Sequence, residues 1–152
     1  PTKNVSMLDL NQPTPAWSYG AEDMAQPRRQ NNATILADGT VLITGGSSLG
    51  GDGPQGFNDS EGQIALAEIW NPDTQEVTPV ASASSVYRGY HSTALLLPDG
   101  RVLVAGGNHD QPLPGGGTQY VEQKSAEIYS PAYLFDEDGS PAVRPTVVCL
   151  SS

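Results

Sequence analysis

Tyr90 and His91 stand side by side in the chain, a phenol and an imidazole that can both donate to a metal and both carry a proton. Read alone, such a dipeptide at the opening of a strand is more often a packed ring beside a histidine bonded to backbone than a metal site. Successive residues of a regular strand point to opposite faces, so both could reach one ion only where the strand is twisted or bulged. Gly89 just before them would permit that. The other candidates are weaker. His109 lies in a polar segment and is expected to be solvated. Asp52, Asp59 and Glu61 do not have the spacing of a calcium loop. The single Cys149 excludes an internal disulfide and any multi-cysteine metal site, and reads as a small buried apolar residue.

The element that must position the pair is the stretch RGYHSTALLLPDGRVLVAGG, residues 88–107. An apolar strand from Ser92 to Leu97, a turn on Pro98-Asp99-Gly100, and a second apolar strand from Arg101 to Ala105 make one hairpin. The chain repeats it. NNATILADGTVLITGG (31–46) matches residues 91–107, AEIWNPDT (67–74) matches AEIYSPAY (126–133), and residues 5–19 resemble a further copy of that second half. Asp38-Gly39 recurs 61 residues later as Asp99-Gly100, close to the period of about 50 of kelch propeller blades once insertions are allowed. The expected unit is a four-stranded antiparallel blade with strands at 31–36, 40–44, 64–70 and 75–80 and a crossing at 81–89. Continuous apolar runs such as Val41-Leu42-Ile43 suit strands covered on both faces by neighbouring blades. Half a unit, one whole unit and most of another cannot bury themselves, so the remaining blades are expected from sequence not present here.

Composition agrees with an all-β fold. Gly 17 and Pro 13, with no sustained 3.6-residue apolar period, favour short strands and many turns. Seventeen acidic against seven basic residues give a net charge of −10 with no Lys/Arg cluster, which argues against nucleic acid as a partner. There is no long apolar run and therefore no expected membrane span, and the N-terminal stretch does not read as a charged-then-apolar signal peptide. Sequons occur at Asn4, Asn32 and Asn58, the second inside an expected strand where a glycan would be hard to attach.

In an up-and-down blade, the entry to the first strand and the loop between the second and third strands share one face. Both long insertions, 47–63 and 108–124, are of that second kind, so they converge with Tyr90 and His91 where a pocket would form beside the central channel. Gln30 and Asn31 align with Tyr90 and His91 in the preceding unit, so they are expected to line the same pocket and to be substrate-binding residues, since an amide is a poor metal donor but a good partner for hydroxyls. Arg28 and Arg88 occupy equivalent positions and either bridge blades or face the pocket.

Taken together, Arg88-x-Tyr90-His91-Ser92, the LLLPDGRVLVAGG that follows and AEIYSPAYLF…GSPAVRP resemble the galactose oxidase and glyoxal oxidase family of copper radical oxidases. The resemblance implies a seven-bladed kelch-type β-propeller, of which residues 1–140 would be the last two to three blades. Residues 141–152, with a strand at 146–150, would open a C-terminal immunoglobulin-like β-sandwich. It implies copper held by Tyr90 and His91, with Tyr90 as axial ligand and proton acceptor and His91 as equatorial ligand. A Cys–Tyr cofactor and a second histidine would come from sequence absent here, and Cys149 stands at the wrong place to be the cross-linked cysteine. The implied parent is a secreted enzyme that oxidises primary alcohols or aldehydes, carbohydrates included, with O2 and releases H2O2. This chain alone carries at most half the metal site and is not expected to be active; the rest of the propeller and the sandwich are its expected partners. The alternative is a non-catalytic kelch-type propeller that binds a glycan or protein through the same loops.

Overall fold

Aspartate-glycine turns set the framework. In the computed structural model, which describes residues 1–49 and 60–144, Gly39 and Gly100 both take a positive φ (86° and 83°), a region glycine enters at little cost. Asp38 Oδ1 accepts from the Thr40 amide at 3.0 Å and Asp99 Oδ1 accepts from the Arg101 amide at 3.1 Å. The two repeats therefore close their hairpins with the same chemistry.

The strands are β1 (Ser6–Leu8), β2 (Trp17–Tyr19), β3 (Asn32–Ile35), β4 (Val41–Thr44), β5 (Leu66–Trp70), β6 (Val77–Ala83), β7 (Ser92–Leu96), β8 (Val102–Gly106), β9 (Asn108–Pro112), β10 (Thr118–Glu122) and β11 (Ala126–Tyr129). All pairings between them are antiparallel. Short 3-10 turns lie at Ser60–Gly62 and Ala132–Leu134, and the described residues contain no α-helix. The expected all-β class holds. The whole repeat unit is a four-stranded sheet in the order β3-β4-β5-β6, the incomplete one is a three-stranded sheet β11-β8-β7, and residues 5–19 form the β1-β2 hairpin. The last strand of the complete unit runs to Ala83, three residues beyond the expected 80. Cys149, the strand expected at 146–150, Asp52, Asp59 and the Asn58 sequon lie outside the described residues.

The segment 108–124, expected as an irregular insertion, is largely the β9-β10 hairpin. Gly115, Gly116 and Gly117 all have φ near 90° to 100° and reverse the chain, with the Leu113 amide donating to Gly117 O at 3.0 Å.

The two large sheets pack face to face through Leu36 and Leu42 on one side and Val102 and Val104 on the other. At one end of this core Tyr133 Oη donates to Gly100 O at 2.6 Å, pinning the exit of the chain to the second hairpin. At the opposite end Asn32 Nδ2 donates to Ser92 Oγ at 2.8 Å, so the first strands of the two sheets begin beside each other. The far faces stay uncovered. Leu95 and Ile128 are about half exposed and Trp17 is 74% exposed, apolar surface of a kind that folded domains normally bury.

Arg28 and Arg88 have matching roles. Each reaches from the segment before a first strand to a glutamate on the third strand of the same unit, Arg28 to Glu68 and Arg88 to Glu127. Each also donates to the carbonyl that ends the second strand, Gly45 O and Gly106 O, both at 2.8 Å. Both arginines thus close their own unit. Burial alone would raise the Glu127 pKa, but hydrogen bonds from Ser84 and Arg88 and the Arg88 charge outweigh it and hold the carboxyl below its ordinary 4.5. A carboxyl with a lowered folded-state pKa contributes stability that is complete above its unfolded value and lost as pH falls through the folded value. The thermal midpoint of the full-length protein should therefore fall more steeply on acidification below about pH 4.5 than that of Glu127→Gln, as paired melting curves would show.

Candidate functional site

The backbone at Arg88 is held from both sheets before the site begins. Its side chain is buried and bonded to Gly106 O, Ser125 O and Glu127. Its own carbonyl accepts from the Gly46 amide at 2.8 Å. Gly89 follows because nothing larger fits, since a Cβ there would overlap the buried Tyr87 ring. The next residues turn. The Ser92 amide donates to Gly89 O at 3.0 Å and Ser92 Oγ donates to the same carbonyl at 2.7 Å.

This turn solves the geometric problem posed by adjacent residues. His91 takes a φ of 60°, an uncommon conformation for a side-chain-bearing residue and one that a surrounding structure has to impose. The chain reverses its sense there, and the Tyr90 and His91 rings come to the same side, stacked with centroids 3.8 Å apart and planes 25° apart. Asn108, at the root of the β9-β10 hairpin, touches both members of the pair. Its amide N–H donates to Tyr90 O at 2.9 Å, and its side-chain Nδ2 lies 2.8 Å from His91 Nδ1.

In the preceding unit the counterparts are shifted by one residue from the sequence alignment. Ser47 exchanges backbone hydrogen bonds with Arg29 as Asn108 bonds Tyr90, and Gln30, with a φ of 57°, has the conformation of His91. So Arg29 matches Tyr90 and Gln30 matches His91. Gly89 is the extra residue that makes room for the second ring. Gln30 nonetheless stands at the same end of the neighbouring first strand. Its Oε1 is buried and has no hydrogen-bond partner among the described residues, a cost that a ligand's donor would relieve. Asn31 is half-buried against Gly46.

His109 is buried rather than solvated. Strand β9 folds it edge-on against Tyr87, ring centroids 5.1 Å apart, with Gln123 Nε2 at 3.4 Å from its Nδ1. The described parts of the two insertions do meet at this end, where β9 contacts the Ser60–Gly62 turn. A cavity of about 610 Å³ lies elsewhere, between the two sheets, lined by Thr44, Arg88, Val104, Glu127 and Tyr129 among others. Tyr90 and His91 do not line it.

A phenol and an imidazole on one side of a rigid turn are a donor set suited to Cu(II). No group of three or more His, Cys, Asp or Glu side chains that could enclose an ion occurs among the described residues. The pair can thus form one side of a metal site, completed by donors from elsewhere.

A family model described as the glyoxal oxidase N-terminus matches residues 2–133. The chain is 32% identical over 153 residues to galactose oxidase of Gibberella zeae, covering 99% of this chain and 21% of that protein. It is 33% identical over 141 residues to aldehyde oxidase GLOX of Vitis pseudoreticulata, covering 89% of this chain and 25% of that protein. A solved structure described as a novel fungal alcohol oxidase with catalytic diversity among the AA5 family, in complex with copper, matches with a TM-score of 0.70 at 28% identity. That match covers 95% of this chain and 28% of the other. The chain spans about a fifth to a quarter of the length of the curated relatives it matches.

Proposed function

We propose, since this chain belongs to the glyoxal oxidase N-terminal family, that it is part of a secreted copper radical oxidase in which Tyr90 and His91 supply two of the metal's ligands. The observation that carries this reading is the stack of the two rings on one side of the Gly89–Ser92 turn. In the same reading residues 1–140 are the last two to three blades of a seven-bladed kelch-type propeller, and residues 141–152 open the C-terminal sandwich. The uncovered Leu95 and Ile128 support further blades packing on the outer faces. A tyrosine cross-linked to cysteine and a second histidine come from the rest of the protein.

The reaction passes two hydrogens from a primary alcohol or an aldehyde hydrate to O2, giving the carbonyl or acid product and H2O2. Bound copper, together with the modified tyrosine, supplies the two one-electron equivalents this requires. Within this chain, His91 would hold the metal through an imidazole nitrogen. Tyr90 would take the proton from the substrate hydroxyl at its phenolic oxygen. The turn keeps both groups fixed, so neither has to be ordered when substrate arrives.

Gln30 is the substrate-facing residue, with Asn31 beside it, and its buried Oε1 receives a substrate hydroxyl. In the full-length protein Gln30→Ala should retain copper while KM for polyhydroxylated substrates rises about tenfold relative to simple aldehydes, the loss of roughly one hydrogen bond. Loss of copper in that variant would contradict the assignment. The reading as a whole is tested by the copper content and radical signal of the full-length protein. Absence of both favours a propeller that binds a glycan or protein partner without catalysis.

A further inference from the structure

A neutral imidazole has one nitrogen that donates and one that accepts, so the partner of the first decides what the second can do. Here His91 Nδ1 is engaged by the side chain of Asn108 at 2.8 Å, which leaves Nε2 as the nitrogen open to a metal. For Nε2 to present a lone pair, Nδ1 must carry the proton, and its neighbour must accept it. An amide can do either. With Nδ2 toward the ring it donates to Nδ1, and after a half-turn Oδ1 accepts from Nδ1–H.

We infer that Asn108 is the positioning residue of His91. It holds the ring plane against the turn in the absence of metal and, through Oδ1, fixes the Nδ1–H tautomer that frees Nε2 for copper. This rests on the reading of His91 as a copper ligand. The preceding repeat provides an internal control. Ser47 occupies the place of Asn108 and keeps its backbone bonding to the residue opposite, but its Oγ accepts from the Leu49 amide in its own loop at 3.2 Å. The backbone bond at the hairpin root therefore belongs to the repeat. The side-chain bond to the ring occurs where a histidine has to be aimed. A metal-bound histidine commonly donates its second N–H to such an oxygen, and loss of that partner typically costs 10- to 100-fold in metal affinity.

The test uses the full-length protein and copper itself. Asn108→Ala should bind copper about 10- to 100-fold more weakly, and electron spin-echo spectra should show an altered quadrupole coupling for the remote nitrogen of one bound imidazole. Asn108→Asp keeps the size and offers only acceptors, so it should restore both affinity and signal. If Asn108 were merely part of the hairpin root, both variants would lose thermal stability alike and Asp would not rescue copper. Wild-type affinity and spectra in Asn108→Ala, with copper lost in His91→Ala, would overturn the inference alone. Copper retained in His91→Ala would overturn the ligand reading and the inference with it.

Discussion

His91→Ala in the full-length protein is expected to lose copper and oxidation together, with activity falling to background. In the proposed site several preorganised donors would hold the metal and this chain would supply two of them, of which the imidazole is well suited to Cu(II). Tyr90→Phe should separate the two losses. It removes an oxygen donor and the proton acceptor but leaves the ring stacked on His91 (centroids 3.8 Å apart), so most copper should remain while kcat drops by about 10²- to 10⁴-fold, the usual range for a general base. Metal analysis and steady-state kinetics on the two variants would show it. Equal copper loss in both would mean that the phenol is a structural ligand and that another group takes the proton.

Glu68→Gln should be strongly destabilising while leaving the site itself untouched. Arg28 and Glu68 are each 1% exposed at the side chain, and Glu68 also accepts from the Ala25 amide at 2.7 Å. Removing one charge leaves the other buried without compensation, which costs about 3–5 kcal/mol, a large part of the roughly 5–15 kcal/mol that holds a domain together. The exposed pair Lys3–Asp23, with side chains 56% and 36% accessible, is the control. Asp23→Asn should change stability by less than about 1 kcal/mol. Urea unfolding of the two variants would decide between them, and equal midpoints would mean that the buried pair contributes no more than a surface one.

These partners also mark where the sequence stops being readable. The hairpins were legible because their signals are local, an Asp-Gly turn between aliphatic runs, and the duplication of the unit made each copy a check on the other. Arg28 and Arg88 were legible as equivalents but not as clamps, because Glu68 and Glu127 lie 40 and 39 residues away. The β9-β10 hairpin was missed because Asn108, His109, Asp110 and Gln111 carry no apolar alternation. The signal that could have found it is the run Gly115-Gly116-Gly117 followed by Thr118, Tyr120 and Val121, a glycine turn before β-prone residues. Missing that hairpin also put His109 in solvent, when the fold of β9 lays it against Tyr87.

At the site, the residue types of Tyr90 and His91 and the need for an irregular backbone could be read from the chain. The form of the irregularity could not, since nothing in histidine itself asks for a φ of 60°. That conformation is imposed by Ser92, which bonds back to Gly89, by the Gly46 amide on Arg88 O, and by Asn108. The one-residue shift between Gln30 and His91 has the same origin. The alignment anchored on the arginines counts Gly89 as an equivalent position, whereas the strands count from the turn onward.

Copper ligation by Tyr90 and His91 is tested most directly by diffraction from the full-length protein loaded with copper, with data collected at the copper edge. One anomalous peak bonded to both the Tyr90 hydroxyl oxygen and His91 Nε2 is expected, with Asn108 Oδ1 facing Nδ1. A peak away from both residues, or the two polar groups turned into separate packed environments, would contradict it.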